Sequence, residues 1–137
     1  MLPKLKFEGE YLYTSVIDVR VLDLNMGAHL SNDKVLNYLT EVNERFLRSK
    51  GLSLNNINDC TLVVSASYIR FRKEVFYPEK LTVKLGIMEI TKTRVFFYYS
   101  IENSQDQLSH QAVIESALVN NQSGKLEKAE MIKSYLL

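Results

Sequence analysis

Apolar and polar residues alternate from Tyr11 to Leu22, "YLYTSVIDVRVL". Tyr13, Ser15, Ile17, Val19 and Val21 share one face and Thr14, Asp18 and Arg20 the other, which predicts a strand with one buried side. The period then changes. From Asp33 to Lys50 the apolar positions Val35, Leu36, Leu39, Val42, Phe46 and Leu47 form one stripe at helical spacing. Ser31 or Asn32 can cap this helix, Asp33 suits its positive end, Arg48 and Lys50 suit its negative end, and Gly51 stops it. After the loop "NNINDC" come four strand-like runs, 60–71, 80–90, 94–103 and 109–121. In the second, Leu81, Val83, Leu85 and Ile87 oppose Thr82, Lys84 and Gly86. "TKT" and "SQDQL" fit hairpin connections. A longer charged loop, 72–79, contains Pro78. The doubled apolar pattern of "VFFYY" predicts a strand buried on both faces. The tail from Gly124 fits either a short helix or an ordered extension.

The order is strand, long helix, four strands, in an α+β chain of 137 residues that suits one domain. A five-stranded antiparallel sheet with a single helix to cover it leaves edges and apolar surface exposed. A homodimer, or a tetramer, would cover them.

Charge narrows the partners. With 17 basic and 16 acidic residues, net charge is +1, which gives no reason to expect nucleic acid or an acidic membrane surface. No apolar run approaches the roughly 20 residues of a membrane-spanning helix. The N-terminus lacks the apolar segment and cleavage site of a signal peptide. The lone Cys60 forms no internal disulfide, so a cytoplasmic setting is expected. Two histidines and one cysteine far apart give no metal site of recognised spacing. Ser104, Ser109 and His110 lack the elbow motif of serine hydrolases.

The chemistry concentrates in "DLNMGAHLSND", 23–33, ahead of the helix. A helix N-terminus offers free backbone N–H groups and a dipole that favours negative charge. Asp23, Asp33 and Glu41 are candidate bases. Their structural alternatives are a carboxylate bonding loop amides, a helix-dipole partner and an exposed helix glutamate. His29 could donate to a carbonyl or orient a carboxylate. Asn25 could hold a water or a carbonyl, and Asn32 most simply caps the helix. Gly27 either lets backbone approach a ligand or serves the turn. Arg70, Arg72 and Lys73 form a basic cluster that could meet phosphates or simply be solvated.

These motifs, in this order, resemble the hotdog-fold thioesterase superfamily. "DLNMGAHLSND" is similar to the D-x-D-x-x-G-H-V-N-N loop of its 4-hydroxybenzoyl-CoA thioesterase branch. The Asp-Leu-x-Met-x-x-His spacing also resembles plant acyl-carrier-protein thioesterases. "YIRFRKEVFYPEKLTVKLGIMEITKTRVFFYYSIEN" and "AVIESALVNNQSGK" resemble the family's second half, so the likeness spans about 10 to 125. The resemblance implies a hotdog fold, a five-stranded antiparallel sheet wrapped around one long central helix. The core would be 10–125, with a C-terminal extension 126–137. It implies hydrolysis of acyl thioesters of CoA or acyl carrier protein. No cofactor is implied, because CoA is part of the substrate. It also implies that a helix carboxylate such as Glu41 can act across a dimer interface. One departure stands out. Asn25 occupies the position of the branch's nucleophilic or basic aspartate, and an amide cannot ionise. A closer likeness is the D-x-N-x-G-x-H-L-x-N-D pattern of some bacterial thioesterase-like proteins. Two alternatives stay open: a non-catalytic acyl-thioester binding protein, and a hotdog dehydratase or hydratase.

Overall fold

The computed structural model describes residues 5–137. The first four residues of the expected single domain lie outside the described residues. Strand β1 (Tyr11–Asp18) leads through a turn at Val21–Asp23 and the loop 24–31 to a 3-10 turn, Asn32–Lys34, that runs straight into helix α1 (Val35–Ser49). Strands β2 (Cys60–Phe71), β3 (Lys80–Ile90), β4 (Val95–Glu102) and β5 (Leu108–Asn120) follow. They lie antiparallel in the order β1-β3-β4-β5-β2. This is the expected hotdog arrangement, with one addition. A two-residue strand β6 (Leu126–Glu127) pairs with β5. The C-terminal segment is both extension and helix: after β6 comes a 3-10 turn, Ala129–Ile132, and a single helical turn α2 (Lys133–Leu136). Ala129, Ile132 and Leu136 anchor it in the core.

The buried stripe of α1 is Val35, Tyr38, Leu39, Val42, Asn43, Phe46 and Leu47. It meets Leu81, Val83 and Leu85 of β3, Phe97, Tyr99 and Ile101 of β4, and Ala112, Ile114 and Leu118 of β5 in one apolar cluster. Tyr38 and Asn43 are in the stripe and were not in the expected set, whereas Leu36 is only half-buried. The helix end follows expectation: Gly51 adopts φ 76° and Leu52 N–H reaches back to the Leu47 carbonyl at 2.9 Å. The start does not. Among the described residues no side chain caps it. The Lys34 N–H bonds the Ser31 carbonyl instead, and the Ser31 hydroxyl turns to the Asp33 carboxylate.

The outer face of β4 is covered, as "VFFYY" suggested. Phe7 stacks on Tyr98 with centroids 4.9 Å apart, and Tyr11 tilts against both. Gly86 makes room for Phe7: a Cβ there would stand 2.4 Å from the ring.

Strand β1 ends earlier than its pattern suggested, at Asp18, because the chain is captured by the helix. The Arg20 N–H donates to the Tyr38 hydroxyl at 3.1 Å, and that hydroxyl donates to Asp23 Oδ2 at 2.7 Å. Arg20 Nε reaches the same oxygen at 2.9 Å. Asp23 is 4% exposed, and the Asp23 carbonyl accepts the Ser31 N–H at 2.9 Å. One buried carboxylate thus fixes both ends of the loop that precedes α1.

Two outcomes follow from this packing. The Arg20 guanidinium, with the Tyr38 hydroxyl, holds the Asp23 carboxyl below its ordinary value against the opposing pull of burial. The unfolded chain then takes up its proton first, so Asp23 stabilises the fold above about pH 4 and loses that effect as pH falls through the lower folded value. Asp23→Asn should therefore lower the melting temperature at pH 7 by several degrees, with the deficit shrinking in acid; a deficit that grows in acid would contradict the account. Gly86→Ala should cost about 1–3 kcal/mol in denaturant unfolding by driving Phe7 off the sheet. An unchanged midpoint would show that Phe7 does not pack there in solution.

Candidate active site

The loop 24–30 is a tight excursion. Leu24 and Leu30 form an antiparallel bridge, and the Ala28 N–H bonds the Asn25 carbonyl at 3.0 Å. Ala28 takes the left-handed conformation, φ 63°, and Gly27 does not. Gly27 serves a different purpose: a Cβ would lie 3.3 Å from the His29 ring, so glycine lets the imidazole fold over the turn. The far side of the loop is pinned to the segment after β2. The Leu30 N–H bonds the Val75 carbonyl at 2.8 Å, and His29 bridges Phe76.

Asn25 bonds both the turn and the imidazole. Its Oδ1 accepts the Gly27 N–H at 2.9 Å, which fixes the amide so that Nδ2 faces His29 Nε2 at 3.0 Å. His29 Nδ1 lies 3.1 Å from the Leu30 carbonyl. The Leu30 carbonyl is an acceptor for Nδ1–H, and Nε2 faces the Asn25 amide. Glu74 Oε1 stands 3.7 Å from the same Nε2.

His29, Leu30, Asn32, Lys73, Glu74 and His110 line a cleft of about 260 Å³, with Phe71, Arg72 and Val75 completing its wall. The cleft opens at the start of the 3-10 turn that feeds α1, where the first N–H groups of a helix have no intrahelical acceptor. Of the expected site residues, this cleft gathers His29, Asn32, Arg72 and Lys73 directly, with Asn25 and Gly27 behind the imidazole. Arg72 Nε donates to Gln111 Oε1 at 2.6 Å, so part of its guanidinium is committed.

The other expected residues lie elsewhere. Asp23 is buried beneath the loop and occupied by Arg20 and Tyr38. Asp33 is exposed and bonded to Ser31. Arg70 is exposed on β2, 3.4 Å from the Tyr68 hydroxyl, and does not line the cleft. Glu41 faces a separate hollow of about 420 Å³ between α1 and β1. There it pairs with Arg45 at 2.8 Å, and Arg45 Nη1 also donates to Ser15 Oγ and the Val16 carbonyl, both at 2.9 Å.

Two titratable cleft residues were absent from the sequence-based candidates. Glu74 is the only carboxylate lining the cleft among the described residues. Its signal was weak: one acid in a charged loop beside Pro78. His110 is buried, its Nδ1 2.8 Å from Ser109 Oγ, and its ring meets Phe71 edge-on at 5.6 Å. Burial pushes it down to about 4, so it is neutral at physiological pH. Ser109 is fully buried and its hydroxyl donates to the Ile101 carbonyl at 3.1 Å.

No curated protein matches the chain in sequence. Solved structures do match its fold. A 1,4-dihydroxy-2-naphthoyl-CoA thioesterase from Synechocystis is 22% identical with a TM-score of 0.79, over 90% of this chain and 94% of that one. A DHNA-CoA thioesterase from Staphylococcus aureus is 17% identical with a TM-score of 0.77, over 89% and 81%. A hypothetical protein from Staphylococcus aureus, solved in complex with CoA, is 17% identical with a TM-score of 0.78, over 93% and 84%. The sequence profile of the thioesterase-like superfamily matches residues 19–134, from the end of β1 through the C-terminal helical turn. The chain belongs to the thioesterase-like superfamily.

Proposed function

We propose that the chain hydrolyses acyl thioesters of CoA, with the thioester carbonyl in the cleft at His29 and Glu74. One observation carries this reading: a carboxylate stands 3.7 Å from an oriented imidazole at the open start of the helix. Glu74 takes a proton from water as the water oxygen attacks the carbonyl carbon. The helix-start N–H groups receive the developing oxyanion. Collapse expels the CoA thiolate, which takes up a proton, and leaves the free acid. His29 and Asn25 hold the water and carbonyl in line. Lys73 and Arg72 at the rim suit the phosphates of CoA.

Family membership and the solved relatives support this activity, and the CoA complex of one relative supports the choice of thiol. An acyl carrier protein, which carries a related thiol arm, is the alternative donor. A second reading has one observation in its favour. Asn25 cannot ionise, so a protein that holds acyl thioesters without cleaving them would keep this loop geometry.

The subunit pairs through β2. Of the two sheet edges, β1 is covered where Arg45 bonds the Val16 carbonyl. Strand β2 is twelve residues long and open, with Val63 43% and Val64 48% exposed. Such an edge invites a second copy. The buried, thiol-raised Cys60 suits a reducing cytoplasm. Among the described residues no helix is long and apolar enough to cross a membrane.

Thiol release from a panel of aliphatic and aromatic acyl-CoAs tests the reaction. Glu74→Gln should reduce kcat about a hundredfold or more, in the range of a lost general base, while the protein stays folded. Full activity in Glu74→Gln together with its loss in Glu41→Gln would move the reaction to the hollow beside β1. Acyl-CoA bound by calorimetry without any thiol release would favour the binding protein. Light scattering after size exclusion should give a dimer, and Val63→Asp should give a monomer; a dimer that survives this change would place the interface elsewhere.

A further inference from the structure

A chain of hydrogen bonds runs from the cleft to the opposite face of the sheet. Arg72, in the cleft wall, donates from Nε to Gln111 Oε1 at 2.6 Å. Gln111 follows the cleft residue His110 on β5, so its side chain leaves the other face of the strand. It is 8% exposed. Its Nε2 donates to the Leu5 carbonyl and to the Tyr98 hydroxyl oxygen, both at 2.8 Å. The Tyr98 hydroxyl donates in turn to the Leu5 carbonyl at 3.4 Å. The partners fix which way the amide points, because a guanidinium only donates and a carbonyl only accepts.

The far end of this chain is a strap, residues 5–9, seated on the sheet. Phe7 stacks on Tyr98, and Gly86 and Gly9 leave the room its ring occupies. An apolar residue at position 111 would cover the same spot without needing partners. Gln111 instead gives its oxygen to Arg72. With Nε committed, the remaining N–H groups of the guanidinium stand as a fixed fork. Among the described residues neither Arg72 nor Lys73 pairs with a carboxylate. Arg70, opposite Gln111 in the β2–β5 pairing, reaches only the Tyr68 hydroxyl at 3.4 Å. The end of β2 thus carries three cations against the single carboxylate of Glu74, and an anion supplies the missing partner. Arg72 and Glu74 line the same cleft, so one ligand can meet both.

We infer that Gln111, fixed by the strap, is the positioning residue that holds the Arg72 guanidinium toward the phosphates of CoA, so that docking of the strap sets affinity for the nucleotide end of the substrate. This rests on the reading of the cleft as a CoA-thioester site given above.

The ligands that test it are CoA and pantetheine thioethers carrying the same 2-oxoalkyl group. Neither can be hydrolysed, and they differ only in the nucleotide with its phosphates. Binding to the full chain is measured by calorimetry. The wild type should bind the CoA member about tenfold tighter or more, the range of a charge-assisted contact. Arg72→Gln should remove most of that ratio. Gln111→Leu, with Arg72 intact, should lower it about threefold or more, as expected when a long side chain must be ordered on binding. The loss should fall on the CoA member alone. Phe7→Ala, which loosens the strap outside the core, should act in the same direction and keeps the test open should Gln111→Leu not fold. A ratio unchanged in folded Gln111→Leu or Phe7→Ala, or no ratio in the wild type, overturns the inference. So does an equal loss for both ligands, which a merely structural role would give. Thiol release from acyl-CoAs is measured in parallel. Thiol release with a ratio indifferent to Gln111 removes the strap's role and keeps hydrolysis. A ratio that responds to Gln111 without thiol release does the reverse, and failure to bind either ligand removes both.

Discussion

One helix cannot cover a five-stranded sheet. Strands lie about 4.8 Å apart, so the outer strand axes are about 19 Å from one another. A helix with its side chains is only about 10–12 Å across. Helix α1 runs closest to β3 and β1. What it leaves bare shapes the molecule. The hollow beside β1 is lined by Glu41 and Arg45, and Arg45 closes the strand edge there. The flank beside β2 keeps the small cavity over Asn43 and Tyr99. At the helix start the uncovered end of β2 and β5 becomes the cleft. The outer face of the sheet needs cover too, and Phe7 against Tyr98 and Gly86 supplies part of it.

The loop between β1 and α1 is rigid for an electrostatic reason. Asp23 takes bonds from Arg20 and Tyr38, and its carbonyl receives Ser31. The cost of burying this carboxylate is offset by a charged and a hydroxyl donor. That anchoring ties Asp23 to Arg20 and Tyr38 and its backbone to Ser31, two residues beyond His29. Asn25 completes the division of labour by aligning the imidazole. Among the described residues the acid lining the cleft comes from another segment, Glu74. In this loop Asn25 is part of a hydrogen-bonded frame, and the carboxylate that lines the cleft comes from the loop after β2.

Much of this was legible in the sequence. Alternation placed β2 and β3 at their observed ends, and the apolar stripe placed α1 to within a turn. The double-sided pattern of "VFFYY" correctly implied a cover for Tyr98. The less legible parts depend on contacts between distant segments. β1 stops at Asp18 because Tyr38, 18 residues further along the chain, captures the Arg20 amide. Glu74 meets His29 only because the Val75 and Phe76 backbone pairs with the loop. Tyr38 and Asn43 could have been found: they occupy the third and eighth positions after Val35, on the buried face, and a polar residue there is a signal in itself.

The most direct test of the account is a crystal structure of the protein with a non-hydrolysable acyl-CoA thioether. The account predicts its carbonyl between Glu74 and the start of α1, beside His29. A carbonyl bound beside Glu41 and Arg45, in the hollow against β1, would contradict it.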